Sequence, residues 1–306
     1  MTLSISHSKI SDFNKCKRYY EIRHIKNLFP RTKKASLRFG GIFHKSIEFI
    51  YLNKGYEESL ALIEDEIQRV DTTFFEQRDH DSLEWSRIVL MAATTAWYKK
   101  FYLSDVTEGV QVVQLEKKYK GLPIYNPLST KRSIKAKWSF IADMVVRLSD
   151  GLWLVEYKTA SQLGNDYIAK LDIDNQVSSY ITYLEKELNE PIRGIIYRVL
   201  KKPSIRLKKT ETPTQFLERL ESLFAEQSED YLIEYRFRRS RDEINEFKSD
   251  LWNQTQYILA AHRKKTWPRN TQSCVMYGRC EYFPICKKQA GAELMFKEGG
   301  DRNASN

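Results

Sequence analysis

Ile141-Ala142-Asp143-Met144-Val145, then Ser149-Asp150-Gly151, then Leu152-Trp153-Leu154-Val155-Glu156-Tyr157-Lys158-Thr159 is the stretch on which the fold turns. Two apolar runs flank an Asp-Gly pair, a strong hairpin signal, so they read as adjacent antiparallel strands over Phe140 to Leu148 and Trp153 to Tyr157. Side chains alternate along a strand, so Glu156 and Lys158 share one face while Tyr157 takes the other, and Asp143 can lie across from Glu156. Converging carboxylates suit Mg²⁺ or Mn²⁺, which favour hard oxygen ligands. A lysine beside them can orient or deprotonate a water, or offset charge on a phosphate. A charged, solvated strand end would carry the same residues. Against that, acidic groups inside such apolar runs are costly to bury unpaired.

Working outward, Val110 to Tyr119 reads as a further strand and Gly194 to Leu200 as another. Ser6 or Ser11 can cap a first helix reaching about Ile22, ahead of a basic segment near Arg31 to Lys34. A helix after Gly40-Gly41 carries Phe43, Ile47 and Ile50 at helical spacing, and a long helical region covers Glu57 to Tyr102. Asp174 begins a helix over Gln176 to Leu188; Thr212 with Pro213 begins another, and the chain then reads as helical to about Lys264. Helices, strands, a helix, a strand and helices in that order predict one α/β core with helical additions from both ends. The last residues, 299–306, read as a disordered tail.

The chain has 306 residues, 42% hydrophobic and 29% charged, as a globular protein would. Its start lacks a basic–apolar signal pattern and no apolar run is long enough for a bilayer, so an intracellular, cytoplasmic protein with no membrane partner is expected. A formal net charge of +10 favours a polyanionic partner, with simple solubility as the other reading. Arg236-Phe237-Arg238-Arg239-Ser240-Arg241 interleaves arginines, suited to phosphates, with an aromatic that can stack on a base.

There are four cysteines: Cys16, and Cys274, Cys280 and Cys286 in a C-x5-C-x5-C pattern. Four thiolates are the number an iron–sulfur cluster needs. Structural zinc usually has closer ligand pairs, disulfides need an oxidising compartment, and unlinked buried cysteines are the plain alternative.

Asp143 followed by Glu156-x-Lys158-Thr159 resembles the PD-(D/E)XK nuclease superfamily in its RecB-like branch. Gly41-Ile42-Phe43-His44-Lys45-Ser46-Ile47-Glu48 is similar to that branch's helical histidine motif, and Gln176-Val177-Ser178-Ser179-Tyr180 to its Gln-x-x-x-Tyr motif. Alone, His44 and Glu48 could be an ion pair on one helix face, and Gln176 and Tyr180 ordinary neighbours one turn apart. The N-terminal Cys16 segment and Trp267-Pro268-Arg269-Asn270 leading into Cys274 resemble the cluster-bearing members, of the AddB type and the CRISPR-associated exonucleases. Here Lys17 replaces the usual proline, and the first cysteine spacing is five rather than two.

The resemblance implies a restriction-endonuclease-like mixed central sheet flanked by helices, its N- and C-terminal helical segments joined at a four-cysteine [4Fe–4S] cluster. It implies a single domain over 1–298, with the nuclease core at about 36–210 and helical cluster regions at 1–35 and 211–298. Mg²⁺ or Mn²⁺ would be held by His44, Asp143, Glu156 and the backbone carbonyl of Tyr157, with Lys158 catalytic and Gln176 and Tyr180 touching DNA or the catalytic centre. The expected activity is DNA hydrolysis, as an exonuclease, in recombination, repair, or phage or CRISPR DNA processing within a bacterial or phage-infected cell. The sequence shows no phosphate-binding loop, so unwinding would come from a helicase or recombination partner. Two rivals are a catalytically silent iron–sulfur DNA-binding module and a zinc-stapled structural protein.

Overall fold

Two apolar runs without polar alternation, Leu152–Val155 and Ile195–Tyr197, are buried throughout. Strands covered on both faces have this composition. The computed structural model describes residues 2–31, 35–73, 75–129, 131–276 and 278–299. Strands are β1 (Leu3–Ile5), β2 (Leu28–Pro30), β3 (Gln111–Tyr125), β4 (Arg132–Leu148), β5 (Gly151–Ala160), β6 (Ile192–Lys201), β7 (Leu232–Phe237) and β8 (Phe296–Glu298). Helices are α1 (His7–Lys15), α2 (Lys17–Tyr20), α3 (Ala35–Tyr51), α4 (Tyr56–Gln68), α5 (Gln77–Trp97), α6 (Leu103–Thr107), α7 (Asn165–Asp172), α8 (Asn175–Leu188), α9 (Pro213–Glu226), α10 (Ser228–Tyr231), α11 (Arg241–Lys264) and α12 (Phe283–Cys286).

The expected architecture is present: a central mixed sheet flanked by helices. Strand order is β1-β4-β5-β6-β7, with β3 paired to β4. The β4–β5 and β6–β7 pairs are antiparallel and β5–β6 is parallel. The chain divides into two compact units. One comprises Met1–Lys33, Lys118–Phe140 and Arg241–Asn306, the other Lys34–Lys117 and Ile141–Ser240.

In the second unit, Phe43, Ile47 and Ile50 of α3 share a core with α4, α5, α9 and with Met144, Val155, Tyr157 and Ile196 of the sheet. Tyr51, at the end of α3, donates its hydroxyl to Asp105, which also takes two hydrogen bonds of 2.6 Å from Arg198 of β6. All three are buried, so this network pins the helix carrying His44 to the strand beside Tyr157. In the first unit β1 runs parallel to the early part of β4, and β2 pairs antiparallel with β8.

The helix caps follow the sequence. Ser6 caps α1, and Asp174 takes the Gln176 N–H at 2.9 Å. Thr212 and Gln215 form a reciprocal capping box with Pro213 at the first position. Other expectations need correction. The first helix does not run unbroken to Ile22: Cys16 is extended, with φ −166°, and separates α1 from α2. The region 57–102 is interrupted at 69–76, where the Asp71 carboxylate takes the Thr73 N–H and hydroxyl and so competes with the helix. The helix expected through 213–264 is broken by β7, whose β-branched and aromatic side chains complete the sheet against β6. Residues 32–34 of the expected basic segment and 300–306 of the expected tail lie outside the described residues. Among the described residues no helix is long and apolar enough to cross a membrane.

Removing one partner of a buried ion pair leaves the other charge uncompensated, at about 3–5 kcal/mol. Asp105→Ala is therefore expected to lower the unfolding free energy by about 3 kcal/mol in urea titration, the low end of that range because Arg198 keeps Glu234 at 3.2 Å. A loss under about 1 kcal/mol would show that the network does not hold α3 to β6.

Candidate active site and cysteine cavity

Strands β4 and β5 pair from Leu148 opposite Gly151 to Met144 opposite Val155, and the pairing ends there. One residue further, the Asp143 side chain takes the place of a backbone partner: its Oδ2 accepts the Tyr157 N–H at 2.9 Å. A strand residue directs its N–H and C=O to the same edge, so the Tyr157 carbonyl faces that opening too. A hydrogen bond between His44 and the Tyr157 backbone agrees with this. His44 Nδ1 lies 3.5 Å from Asp143 Oδ2, and its ring packs edge-on to Tyr157. His44 thus faces Asp143 across the opening, not only its helix neighbour Glu48.

Strand alternation splits the rest as expected. Tyr157 points into the core with α3, while Glu156 and Lys158 face α8. Lys158 Nζ donates to Glu156 Oε1 at 2.8 Å and to Gln176 Oε1 at 3.4 Å. Gln176 Nε2 donates to the same Glu156 oxygen at 2.8 Å and contacts the Tyr180 hydroxyl. The Asp174 cap fixes the first turn of α8 and thereby Gln176. All the expected catalytic residues are brought together. Glu156 Oε2 is buried and has no hydrogen-bond partner among the described residues.

Glu116 of β3 was not singled out in the sequence. Its carboxylate, a His44 nitrogen and an Asp143 oxygen all lie within 4.8 Å of one another. Among the described residues this is the one group of three His, Cys, Asp or Glu ligand atoms so close. Glu116 has a left-handed backbone, φ +45°, unusual for a non-glycine residue within a strand. An acidic residue within the expected Val110–Tyr119 strand was the available signal.

The electrostatics favour a cation. Burial raises Asp143 to about 6, opposed by the Tyr157 N–H and Lys158. Burial and then Asp143 raise Glu156 to about 7, against the pull of Lys158. Glu116 is pushed up to about 8 by burial, with Asp143, Glu48 and Glu156 adding to it. Burial lowers His44, which favours the neutral imidazole that binds metals. Burial also works against the charge on Lys158, but Glu156 outweighs it and the lysine is held above its ordinary value. Lys158 thus donates to Glu156 and Gln176 as an ammonium in this arrangement. The orphaned Glu156 oxygen and the His–Glu–Asp group fit a divalent ion.

In the other unit, Cys16, Cys274, Cys280 and Cys286 line one small cavity of about 20 Å³ beside Tyr19 and Tyr282. The Asn270 N–H donates to Cys16 Sγ at 3.3 Å, and the Cys280 N–H to the Cys274 carbonyl at 2.8 Å. Four tetrahedral sulfurs at about 2.3 Å from zinc would stand about 3.8 Å apart. Among the described residues no three cysteine sulfurs all lie within 4.8 Å of one another.

The basic Arg236–Arg241 segment departs from expectation. The Arg239 side chain is only 2% exposed and lies against Asp172 at 3.4 Å and the Leu171 carbonyl. Arg236 pairs with Glu234.

The sequence profile of the PD-(D/E)XK nuclease superfamily matches residues 4–287. No curated protein matches the chain significantly. Among solved structures the chain is similar to SSO0001, at 11% identity over 79% of this chain and 82% of that one, with a TM-score of 0.30. A likeness that slight supports no inference.

The raised carboxyls give a test. Folded Asp143, Glu156 and Glu116 keep protons that the unfolded chain has released from about pH 4 upward, so metal-free stability falls as pH rises towards about 8. A divalent cation binds the deprotonated site. The rise in Tm on adding Mn²⁺ should therefore be small near pH 5 and large near pH 8, and Glu116→Gln should reduce it. Equal rises at both pH values would contradict a metal site here.

Proposed function

The chain belongs to the PD-(D/E)XK nuclease superfamily, and from that premise we propose that it is a divalent-metal-dependent deoxyribonuclease of the RecB-like branch, acting as an exonuclease. The observation that carries this reading is the His44, Glu116 and Asp143 group opening beside the Glu156–Lys158–Gln176 network. His44, Glu116, Asp143, the free Glu156 oxygen and the Tyr157 carbonyl would hold Mg²⁺ or Mn²⁺, the imidazole favouring Mn²⁺. A bound ion supplies Lewis-acid polarisation of the phosphoryl oxygen and acidifies a water.

The chain's own residues do the rest. Lys158 holds its proton at Nζ and sets a positive charge against the charge developing on the phosphate. Gln176 fixes the Glu156 oxygen that also receives Lys158, so it positions both. Tyr180 in turn restrains Gln176.

In the other unit, the convergence of four thiols on one cavity is the support for a [4Fe–4S] cluster in a structural role. DNA recombination, repair, or phage or CRISPR DNA processing would suit such an enzyme, with DNA and a helicase or recombination protein as partners. The silent DNA-binding alternative is disfavoured by the complete Asp143, Glu156 and Lys158 set.

Lys158→Ala is expected to slow cleavage by about 10²–10³-fold, as loss of a charge-stabilising donor does. Gln176→Ala should cost about 10–100-fold, as loss of an orienting partner does. End-labelled linear DNA should be degraded and covalently closed circles spared. Robust cleavage by both Asp143→Ala and Lys158→Ala would sink the reading. Separately, anaerobically purified protein should be brown, with iron and labile sulfide in equal amounts, and Cys280→Ser should lose both. A colourless, zinc-containing protein would reject the cluster.

A further inference from the structure

In the same unit as the metal site, a groove of about 660 Å³ opens beyond the end of the catalytic strand. Phe39 and Trp85 form its aromatic side. The Trp85 ring is fixed by its Nε1–H donating to the Ile205 carbonyl at 2.8 Å. The Arg206 guanidinium lies 4.1 Å from that ring's centroid, and Lys202 Nζ lies 5.4 Å from the centroid of Phe39. Neither cation has a carboxylate partner among the described residues, whereas most basic side chains of this unit, such as Arg87, Arg147 and Arg198, do. Arg78 adds a third, well exposed cation, this one paired with Glu76 at 3.1 Å on the surface, and Asp81 is the one acidic side chain lining the groove.

The groove is joined to the metal site through two elements. Ser161, on its wall, lies three residues past Lys158 along the strand, or about 10 Å at about 3.3 Å per residue. Phe39 sits on α3 five residues ahead of His44, an axial rise of about 7.5 Å. A few nucleotides, at about 3.4 Å each when stacked, would cover that distance.

Resting on the nuclease reading, we propose that this groove is a single-strand clamp: it holds unpaired DNA next to the scissile phosphate, with a base stacking on Trp85 and Arg206 and phosphates on Lys202 and Arg78. The chemistry selects against a duplex. Paired bases hide their faces in the stack and offer only edges and backbone, while unpaired bases of any sequence can lie on an aromatic ring or a guanidinium plane. The preferred substrate is then a single-stranded end, and a blunt duplex must be opened before it is cut.

Binding in EDTA tests the clamp without any cleavage. Fluorescence anisotropy would compare a dye-labelled 20-nucleotide oligothymidylate with a duplex of equal length. The Lys202→Glu/Arg206→Glu variant should lose at least about tenfold in single-strand affinity and less than about threefold in duplex affinity. Arg206→Glu alone changes only an exposed side chain and should show a smaller loss of the same selectivity. Unchanged single-strand binding in the variants, equal losses on both DNAs, or no single-strand binding by the wild type would each overturn the clamp. Clamp-dependent binding without Mn²⁺-dependent cleavage would support the groove and overturn the nuclease reading alone.

Discussion

The hydrogen bond from the Tyr157 N–H to Asp143 Oδ2 is the constraint on which the site depends. Continuing the ladder past Met144 and Val155 would give Tyr157 a backbone partner and close the sheet. Instead a side chain satisfies the buried donor, which would otherwise carry a penalty of about 1–3 kcal/mol. The two strands can then part without leaving the Tyr157 N–H unpaired. Into that gap come His44 from α3 and Glu116 from β3. Slipping β5 by one residue in register against its neighbours would reverse the alternation and exchange the core-facing and site-facing residues. Glu156 would then point into the apolar core and Tyr157 toward α8.

The opening is electrostatically unfinished. Asp143, Glu156, Glu116 and Glu48 all carry raised carboxyls; Lys158 pairs with Glu156 and opposes the shift at Asp143, and Lys45 opposes that at Glu48. That ion pair engages only one Glu156 oxygen, and Gln176 shares it. Without another cation the protein must hold protons on these acids or lose stability as they ionise. The same shortage favours binding and turnover. A site that already satisfied its own charges would have little to offer a cation, and an uncharged Lys158 would do little for an incoming phosphate.

The hairpin was legible because local rules govern it, an Asp-Gly turn and strand alternation, whereas His44 and the Gln176/Tyr180 pair stood out only through their resemblance to family motifs, since helix spacing alone equally describes an ion pair and ordinary neighbours. Glu116 was legible by neither route. Its left-handed backbone removes it from the regular alternation of β3, and its place beside His44 and Asp143 arises from strand pairing that no local pattern encodes. Strand β7 was hidden for a related reason. Leu232 to Phe237 lies between two well-patterned helices, and its strand character is realised by pairing with β6. Arg239 misled in the opposite sense. A run of arginines reads as a solvated phosphate contact, yet one of them is buried against Asp172.

The cysteine cavity poses the same physical problem in softer ligands. Burial pushes the Cys280 and Cys286 thiols up, and the neighbouring cysteines add to the shift at Cys286. Such thiols stay protonated until a positive centre makes the thiolates favourable, so metal uptake and proton release are one step. Cys16 belongs to the set because the helix breaks at its extended backbone, and the Asn270 N–H, from the other end of the sequence, reaches its sulfur. The Cys16 N–H still reaches the Asp12 carbonyl at 3.1 Å and its own carbonyl takes the Tyr20 N–H at 3.0 Å, so the break redirects the thiol while Cys16 keeps both backbone hydrogen bonds. Four cysteines drawn from both ends of the sequence thus converge on one cavity, which is the structural argument for the cluster proposed there.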